Sequence, residues 1–251
     1  VRLAEFPTGT TTITDNTAEW SITPTQLYTY QGATIEKVTT NDALYSDEYN
    51  TAGWQQSAVT RTDGVSGDPY GTSTARMYLE TTGAGQHLID LKTLTLTSGT
   101  TFTTGYLVKG GLGRRYVSAW GDDGTNGGMV VFDLQTKTVH SQEARGSGTI
   151  NNAGITQIGD WDLVWVNVTK PVGTAYRTVL LTIHDNGISE GFAGDVTKGL
   201  YVQHKFINLG GGIPSSLIKT TTAAVTRNAD ALSYDTANWF ADGQAGTIQV
   251  D

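Results

Sequence analysis

The segment RRYVSAWGDDGTNGGMVVFDL, residues 114–134, decides the fold. Side chains alternate in character up to Trp120, and a second run of β-forming residues passes through Val130 and Phe132. Between the two runs lie glycine, aspartate and asparagine, the residue types that tight turns favour. Alternation with a period of two is typical of a β-strand with one buried face. The segment therefore predicts two strands joined by a short loop.

The same pattern appears earlier in the chain, in GWQQSAVTRTDGVSGDPYGTSTARMYLET, residues 53–81. A strand, a loop rich in Gly, Asp and Pro at residues 63–71, and a second strand follow one another. Ala75, Met77 and Leu79 are spaced by two, which places them on one face of the second strand. This region predicts a hairpin with a long loop at its tip.

Residues 87–111, HLIDLKTLTLTSGTTFTTGYLVKGG, predict two further antiparallel strands that turn at Ser98 and Gly99. Three more runs of β-forming residues are bounded by Gly, Asp or Asn: WDLVWVNVT at 161–169, RTVLLTIHDN at 177–186 and GLYVQHKFINL at 199–209. At least eight strands result, with no helical period between them. We therefore predict an all-β chain, a jelly-roll β-sandwich of two antiparallel sheets with a short strand-rich N-terminal lead-in.

Length and composition limit the possible functions. The chain has 251 residues, 31 glycines, 5 prolines, no cysteine and a formal net charge of −8. An acidic surface repels phosphate backbones and anionic lipid heads, so neither nucleic acid nor a membrane is an expected partner. The lack of cysteine excludes disulfides and thiolate metal sites. No apolar run reaches the length of a membrane span, and no signal-peptide pattern opens the chain.

Three parts are expected along the chain: an N-terminal lead-in or docking segment at 1–35, the jelly-roll sandwich at 36–232, and a C-terminal linker or start of a further domain at 233–251. The chain begins at Val1 and ends within the alternating segment AGTIQVD. For this reason we expect a fragment or a processed chain.

Catalytic motifs are sparse, and we predict no catalytic residue. The four histidines lack the spacing of a zinc site, and no G-x-S-x-G motif occurs. A glycosidase needs two carboxylates about 5–10 Å apart, and the nearest approach to that pattern is Asp160 and Asp162, on one side of a predicted strand. We favour a solvating role for these two residues and keep a polysaccharide depolymerase as an alternative. The histidines are His87, His140, His184 and His204.

The loop GDDGTNGG, residues 121–128, is rich in the hard oxygen ligands that calcium prefers. Asp122, Asp123 and Asn126 are the weak calcium candidates, but the loop lacks the ligand spacing of an EF-hand. The simpler interpretation is a hairpin tip made of turn-forming residues. We therefore expect no cofactor, with calcium as the less favoured alternative.

The aromatic residues of RRYVSAW give a stronger signal. Tyr116 and Trp120 fall on one face of the predicted strand, whereas Val117 and Ala119 fall on the other and suit a core. The two rings would then face outward or into a shallow concavity, where sugar rings stack on aromatic faces and hydroxyls take directional hydrogen bonds. The predicted carbohydrate-binding residues are Tyr116, Trp120, Asp122, Asp123 and Asn126.

Two alternatives to sugar binding stay open for these rings. They could belong to the core between the two sheets, or to an interface between subunits. Trp161 and Trp165 also share a strand face, but Leu163 lies between them and indicates a core position for that pair.

Four segments carry a resemblance to a known family: TLTLTSGTTFTTGYLVKGG, VVFDLQTKTV, ITQIGDWDLVWVNVT, and GDVTKGLYVQHKFINLGG with its continuation IPSSLIKTTTAAVTRNADAL, residues 213–232. Together, from Trp54 to Leu232, they resemble the jelly-roll carbohydrate-binding-like domain of tailed-bacteriophage virion proteins such as tail fibres, tailspikes and head or neck fibres. The most specific part is residues 213–232, which we call the closing segment. One departure is QHKFINLGG, which stands where the family usually has an aromatic residue, Gln and Glu.

The resemblance implies a virion structural protein at the surface of the particle that forms a homo-oligomer, often a trimer. Its implied partners are other virion proteins and host cell-surface polysaccharide, and the alternative is a purely structural decoration or spacer protein. ANWFADGQAGTIQVD resembles the family's join to a further domain. In the closing segment we expect Pro214 to end the last core strand. We expect Arg227 to pair with Asp230 or to cap a carbonyl, which gives Arg227 and Asp230 a structural role.

Overall fold

The structure, a computed structural model, describes residues 19–22, 28–30, 33–35, 37–47, 54–65, 67, 69, 73–91, 94–95, 99–170, 175–182, 185–210, 212–229 and 232–235. Within these ranges the chain is all-β, as predicted, and contains no helix that could cross a membrane. The strands in chain order are β1 Glu19–Ile22, β2 Tyr28–Tyr30, β3 Ala33–Ile35, β4 Thr39–Asn41, β5 Trp54–Ser57, β6 Val59–Val65, β7 Ala75–Glu80, β8 Ala84–Gly85, β9 His87–Leu91, β10 Leu94–Thr95, β11 Thr100–Leu112, β12 Tyr116–Asp122, β13 Gly127–Asp133, β14 Thr138–Arg145, β15 Thr149–Ile158, β16 Trp161–Lys170, β17 Ala175–Thr182, β18 Phe192–Ala193, β19 Gly199–Leu209, β20 Val225–Arg227 and β21 Leu232–Asp235.

Two antiparallel sheets form the sandwich. The seven-stranded sheet has the order β14-β13-β12-β17-β9-β5, with β10 also paired to β17, and the six-stranded sheet has the order β15-β16-β11-β19-β7-β6. Along these strands the chain alternates between the two sheets, except at the β12–β13 hairpin. The strands concerned are β7-β19-β11-β16 in the six-stranded sheet and β9-β17-β12-β13 in the seven-stranded sheet. This alternation is the strand order of a jelly roll, so the predicted fold is confirmed.

One predicted pairing is wrong. Residues 87–111 do not form a hairpin across Ser98 and Gly99, because β9 and β10 pair with β17 in the seven-stranded sheet while β11 pairs with β16 and β19 in the six-stranded sheet. The chain therefore crosses from one sheet to the other between β10 and β11. By contrast, the predicted hairpin at residues 53–81 is confirmed by the antiparallel pairing of β6 with β7.

The main core lies between the two sheets. Large apolar side chains from both sheets meet there and are almost fully buried, which is the dominant favourable contribution to folding of such a sandwich. Alternating positions of β12 and β13 contribute to it, as the period-two pattern predicts. The largest contributors are Tyr78, Phe102, Tyr106, Phe132, Val164, Val166, Leu180, Leu200, Val202 and Ile207.

A second apolar cluster covers the outer face of the six-stranded sheet. Trp161, Leu163 and Trp165 are buried there, which confirms their predicted burial but places them outside the core between the sheets. Leu217 of the closing segment packs against this cluster. The closing segment therefore shields apolar surface that the sheet alone would leave in water.

Polar contacts hold the closing segment against residues 41–46. Asn41 is fully buried, and its side-chain Nδ2 donates to the carbonyl of Ile218 at 2.7 Å while its side-chain Oδ1 accepts from the Ile207 amide at 3.0 Å. Thr220 donates from its hydroxyl to the carbonyl of Ala43. These contacts join the closing segment to the open edge of β19, where the pairing with β7 has ended.

The end of the last core strand differs from the prediction. β19 stops at Leu209, five residues before Pro214, and Gly210 follows in the left-handed region with φ +85°. That conformation favours glycine and interrupts the strand before the proline is reached. Arg227 donates to the carbonyl of Lys37 at 3.4 Å, and Asp230 lies outside the described residues.

The chain divides into two compact units. One is the sandwich, residues 40–225, and the other combines residues 1–39 with residues 226–251. In the second unit β1 pairs with β21 and β2 pairs with β3. The expected division into residues 1–35, 36–232 and 233–251 stays a prediction.

Candidate functional site

The outer face of the seven-stranded sheet carries the predicted aromatic pair. Val117 and Ala119 point into the main core, whereas Tyr116 and Trp120 lie on the opposite face, as the alternation predicts. Met129, Val131 and Val179 surround the two rings on β13 and β17, and the Trp120 indole donates to the Ser118 hydroxyl at 2.8 Å. The outer face is thus an apolar patch with two aromatic rings in it.

The two rings lie on the outer face, but side chains of the same chain cover them. Tyr116 is 7% exposed and Trp120 is 3% exposed. The His140 ring lies 4.7 Å from the Tyr116 ring, and the guanidinium of Arg115 lies 4.9 Å from it. The guanidinium of Arg145 lies 3.8 Å from the centre of the Trp120 ring. Cationic and aromatic side chains of the same chain therefore cover the pair.

Arg145 lies among three carboxylates. Its Nη2 is 3.1 Å from Glu190, its Nη1 is 3.8 Å from Asp122, and its Nε is 3.8 Å from Glu143. Only the Glu190 contact is short enough for a hydrogen bond to a carboxylate, and the buried Nε has no hydrogen-bond partner within the described residues. The guanidinium therefore retains a donor that could serve a ligand.

The loop that carries Glu190 is anchored by a buried ion pair. Arg114 donates from Nε and Nη2 to the two carboxylate oxygens of Glu80, at 2.6 and 2.7 Å, and from Nη1 to Asp185 at 2.8 Å. Burial would raise the pKa of Glu80, but hydrogen bonds from Arg114 and from the Asp195 amide hold that pKa below its usual value. The bidentate contact with Glu80 holds Arg114 in place, and the remaining donor of Arg114 fixes the base of the loop at Asp185.

The aspartates of the Gly121–Gly128 loop stabilise it through hydrogen bonds to its own amides. Asp122 accepts from the Gly124 amide at 2.9 Å, and Asp123 accepts from the Thr125 and Asn126 amides at 2.9 and 2.7 Å. Burial would raise the pKa of Asp123, but these two amide bonds, with Asn126 first, lower it below its usual value. The carboxylates thus stabilise the hairpin tip in the way the turn-forming sequence suggests.

Asn126 completes this turn, and its side-chain amide donates to Asp123 at 3.3 Å. Its side-chain oxygen accepts from both the amide and the hydroxyl of Ser147, at 2.9 and 2.8 Å. No group of three acidic or histidine side chains able to hold a metal occurs among the described residues. Calcium binding and carbohydrate binding by Asp122, Asp123 and Asn126 both stay predictions.

Asp160 and Asp162 do not form a carboxylate pair on one strand. Asp160 lies in the turn before β16, is largely exposed and is 3.3 Å from Lys109. Asp162 points into the sandwich, where its side chain is 1% exposed and lies 2.5 Å from Lys137. Burial raises the pKa of Asp162 although Lys137 lowers it. The predicted shared face is wrong, because β16 begins only at Trp161.

The described histidines lie apart from one another. His87 is buried and contacts the Thr81 carbonyl at 3.2 Å, His140 packs on Tyr116, and Nδ1 of His204 is 2.5 Å from Asp47. His184 lies outside the described residues. The three described histidines thus have three unrelated structural environments.

Arg145, Glu143 and Glu190 are the residues of this face that the sequence motifs did not identify. Simple hairpin register would not have placed Arg145, because a register shift between Val131 and Phe132 puts Arg145 rather than Ala144 opposite Gly127. No local pattern marks Glu190, since its place depends on the anchored loop. The covering residues become visible only when the second hairpin and the loop are in position.

Comparison with known proteins adds no relative: no protein-family model matches the chain, and no curated protein matches it.

Proposed function

We propose that this chain is a bacteriophage virion structural protein of the fibre or spike type, whose jelly roll binds host surface polysaccharide without chemistry of its own. The proposed partners are other copies of the chain in a trimer, other virion proteins and the glycan, at the surface of the particle. The sequence resemblance of residues 54–232 supports this proposal, and the jelly-roll sandwich is the fold that the resemblance implies.

The observation that carries the proposal is the stacking of Arg145 on Trp120. The cover over Trp120 includes one long side chain, which can swing away without movement of the backbone. A pyranose ring could then stack on the indole, and the released guanidinium and the carboxylates of Glu143 and Glu190 could bond sugar hydroxyls. Each of these groups is present on the same face of the sheet.

Weak affinity is expected at each site. Displacing Arg145 costs its contact with the indole, so a dissociation constant of about 1 μM to 1 mM is reasonable for a single copy. A trimer that presents three such faces to a repetitive polymer would bind much more tightly through avidity. The proposed oligomer therefore has a direct role in attachment.

Binding to an array of bacterial capsule, lipopolysaccharide and teichoic-acid polymers tests the proposal. We expect the wild-type chain to bind at least one polymer and Trp120→Ala to lose that binding. Trp161→Phe is the matched control, because Trp161 is equally buried but lies on the other sheet. Loss of binding in both variants, or no binding by the wild type, would count against the proposal.

A purely structural decoration or spacer protein is the second candidate. The observation in its favour is that Tyr116 and Trp120 are already buried within a single chain. In that case Arg145 is a permanent cover and the face only stabilises the fold. Imaging of the assembled particle distinguishes the two functions, since a face buried against another virion protein would exclude contact with the host.

A further inference from the structure

A polar surface lies on the outer face of the six-stranded sheet. Side chains there form rows across β15, β16 and β11, because residues in register on antiparallel strands share a face. We define the polar ladder as six neutral residues of these rows that lie beside the apolar cluster: Thr101, Thr103, Asn151, Asn152, Asn167 and Thr169.

Five of the six ladder residues form a connected hydrogen-bond network, whereas the side-chain oxygen of Asn152 accepts from the Ala153 amide at 2.9 Å. Asn151 donates to the side-chain oxygens of Asn167 and Thr169, both at 2.9 Å. Asn167 donates to the Thr103 hydroxyl at 2.7 Å, and the hydroxyls of Thr101 and Thr169 are 2.7 Å apart. These contacts fix the side chains in place before any ligand arrives, which lowers the entropic cost of binding.

A β-bulge presents two consecutive asparagines on this face. The register of β15 against β16 shifts between Ile150 and Asn152, so Asn151 is the additional residue. Asn152 is in register with Asn167, and Asn151 reaches Asn167 with its side chain. Both asparagines are exposed, and the bulge turns both toward the outer face, as bulges often do where they aim a side chain at a site.

The indole of Trp165 borders the ladder with an unpaired donor. Trp165 is 6% exposed, and its Nε1 is buried without a hydrogen-bond partner in the described part of the chain. The indole groups of Trp120 and Trp161, in contrast, donate to Ser118 and to the Gly67 carbonyl. A buried donor without an acceptor is costly, so an acceptor from a ligand would be favourable there.

The position of this donor is fixed by glycine. Gly154 is in register with Trp165, and a Cβ atom at Gly154 would lie 2.7 Å from Cζ2 and 3.0 Å from Nε1 of the indole. The Nε1 edge of Trp165 therefore lies over Gly154, two positions along β15 from Asn152. Any larger residue at Gly154 would push the indole away from the ladder.

We propose that the polar ladder and the Nε1 edge of Trp165 form a second saccharide-binding surface that takes an uncharged, hydroxyl-rich glycan. Every ladder side chain is neutral, and amides and hydroxyls match sugar hydroxyls, which both donate and accept. Three strands at about 4.8 Å spacing span about 10 Å, a length suited to a few sugar rings. An acidic glycan has no cation to pair with in the ladder, and the chain as a whole is acidic.

This inference extends the proposed function to a second surface, and the two surfaces lie on different sheets. Tryptophan indole resonances can therefore show which of the two surfaces fails to bind a glycan. Trp120 reports on the first surface, Trp165 on the second, and Trp161 serves as an internal reference. The three resonances can be assigned with single Trp→Phe variants.

The experiment is a titration of ¹⁵N-labelled protein with maltohexaose, cellohexaose and laminarihexaose, followed through the indole N–H resonances. We expect at least one of these neutral oligosaccharides to shift the Trp165 resonance in a saturable manner, with Trp161 unchanged. Asn152→Lys should weaken this binding at least tenfold, while Gln142→Lys, an equal charge change at an exposed position of β14, should leave it unaltered. Equal thermal unfolding of both variants and the wild type establishes that they are folded.

Three results would overturn the inference. The first is a Trp165 resonance unmoved by all three sugars up to about 10 mM, above the weakest range expected for a single glycan site. The second is a shift that Asn152→Lys does not weaken. The third is a Trp165 shift that depends on protein concentration alone, which would mean that β15 pairs with a second copy of the chain. A shift of Trp120 without Trp165 would support the proposed function and reject only the second surface.

Discussion

The guanidinium of Arg145 lies 3.8 Å from the centre of the Trp120 ring, and this contact is part of the cover that keeps the outer face of the seven-stranded sheet from solvent. Glu190 holds the guanidinium from the far side at 3.1 Å. The face is therefore closed by side chains in the free protein. Whether the cover opens distinguishes a binding surface from a purely structural one.

Removal of this cover should expose the indole. We expect Arg145→Ala to increase acrylamide quenching of tryptophan emission and to lower the free energy of unfolding by about 1 kcal/mol, the magnitude of a partly exposed cation–π contact. Arg115→Ala is the matched control, since Arg115 lies over Tyr116 rather than Trp120. Unchanged quenching in Arg145→Ala would mean that other groups close the face.

Loss of the buried ion pair beneath the Glu190 loop should lower the free energy of unfolding far more. Glu80→Gln removes the buried anion of Arg114 and leaves only its contact with the half-exposed Asp185, and the loss of one partner of a buried pair typically costs about 3–5 kcal/mol. Denaturant unfolding measures this. Asp63→Asn breaks the contacts of the half-exposed Asp63 with Arg61 and Arg76 and should cost less than about 1 kcal/mol. Similar values for the two variants would contradict the assigned role of Glu80.

The same carboxylate predicts an acid-sensitive fold. Because the folded state holds the pKa of Glu80 below its ordinary value of 4.5, the ionised form stabilises the fold above that value. This contribution is lost as the pH falls through the lower folded pKa. We expect the thermal midpoint of the wild type to fall more steeply below pH 4.5 than that of Glu80→Gln. Parallel curves would show that other groups control acid unfolding.

The ionised carboxylate of Asp162 should have the opposite effect on stability to that of Glu80. Its pKa is raised by burial, so the ionised form is less favourable in the folded chain than in the unfolded one. We expect Asp162→Asn to stabilise the protein at pH 7 by up to about 1 kcal/mol, an advantage that fades as the pH falls and Asp162 takes up a proton. Asp160→Asn, at an exposed position, should change little. A destabilised Asp162→Asn would show that the Lys137 contact outweighs burial.

Much of the fold could be predicted from alternation alone. The period-two pattern of residues 114–134 gives the strands, the turn and the face on which Trp120 lies, because successive side chains of a strand point to opposite sides. The connection at Ser98 and Gly99 could not be predicted in the same way. A turn sequence is compatible both with a return to the same sheet and with a crossing to the other one.

The degree of exposure of the Tyr116 and Trp120 rings could not be predicted from the sequence, for a related reason. Alternation tells which face a ring lies on, but not what later parts of the chain place over it. Arg145 arrives through the register of β13 with β14, and Glu190 through a loop fixed by Arg114. The unpaired indole of Trp165 is likewise visible only when its neighbours are in place.

The most direct test of the central claim is calorimetric titration of the wild type and Trp120→Leu with the polysaccharide that binds best on the array. We predict a micromolar to millimolar dissociation constant for the wild type and at least tenfold weaker binding for Trp120→Leu, with the cooperative unfolding transition retained. Equal affinity of the two proteins for the polysaccharide would contradict a binding role for the Trp120 face. The absence of a measurable heat of binding with every polysaccharide would contradict it as well.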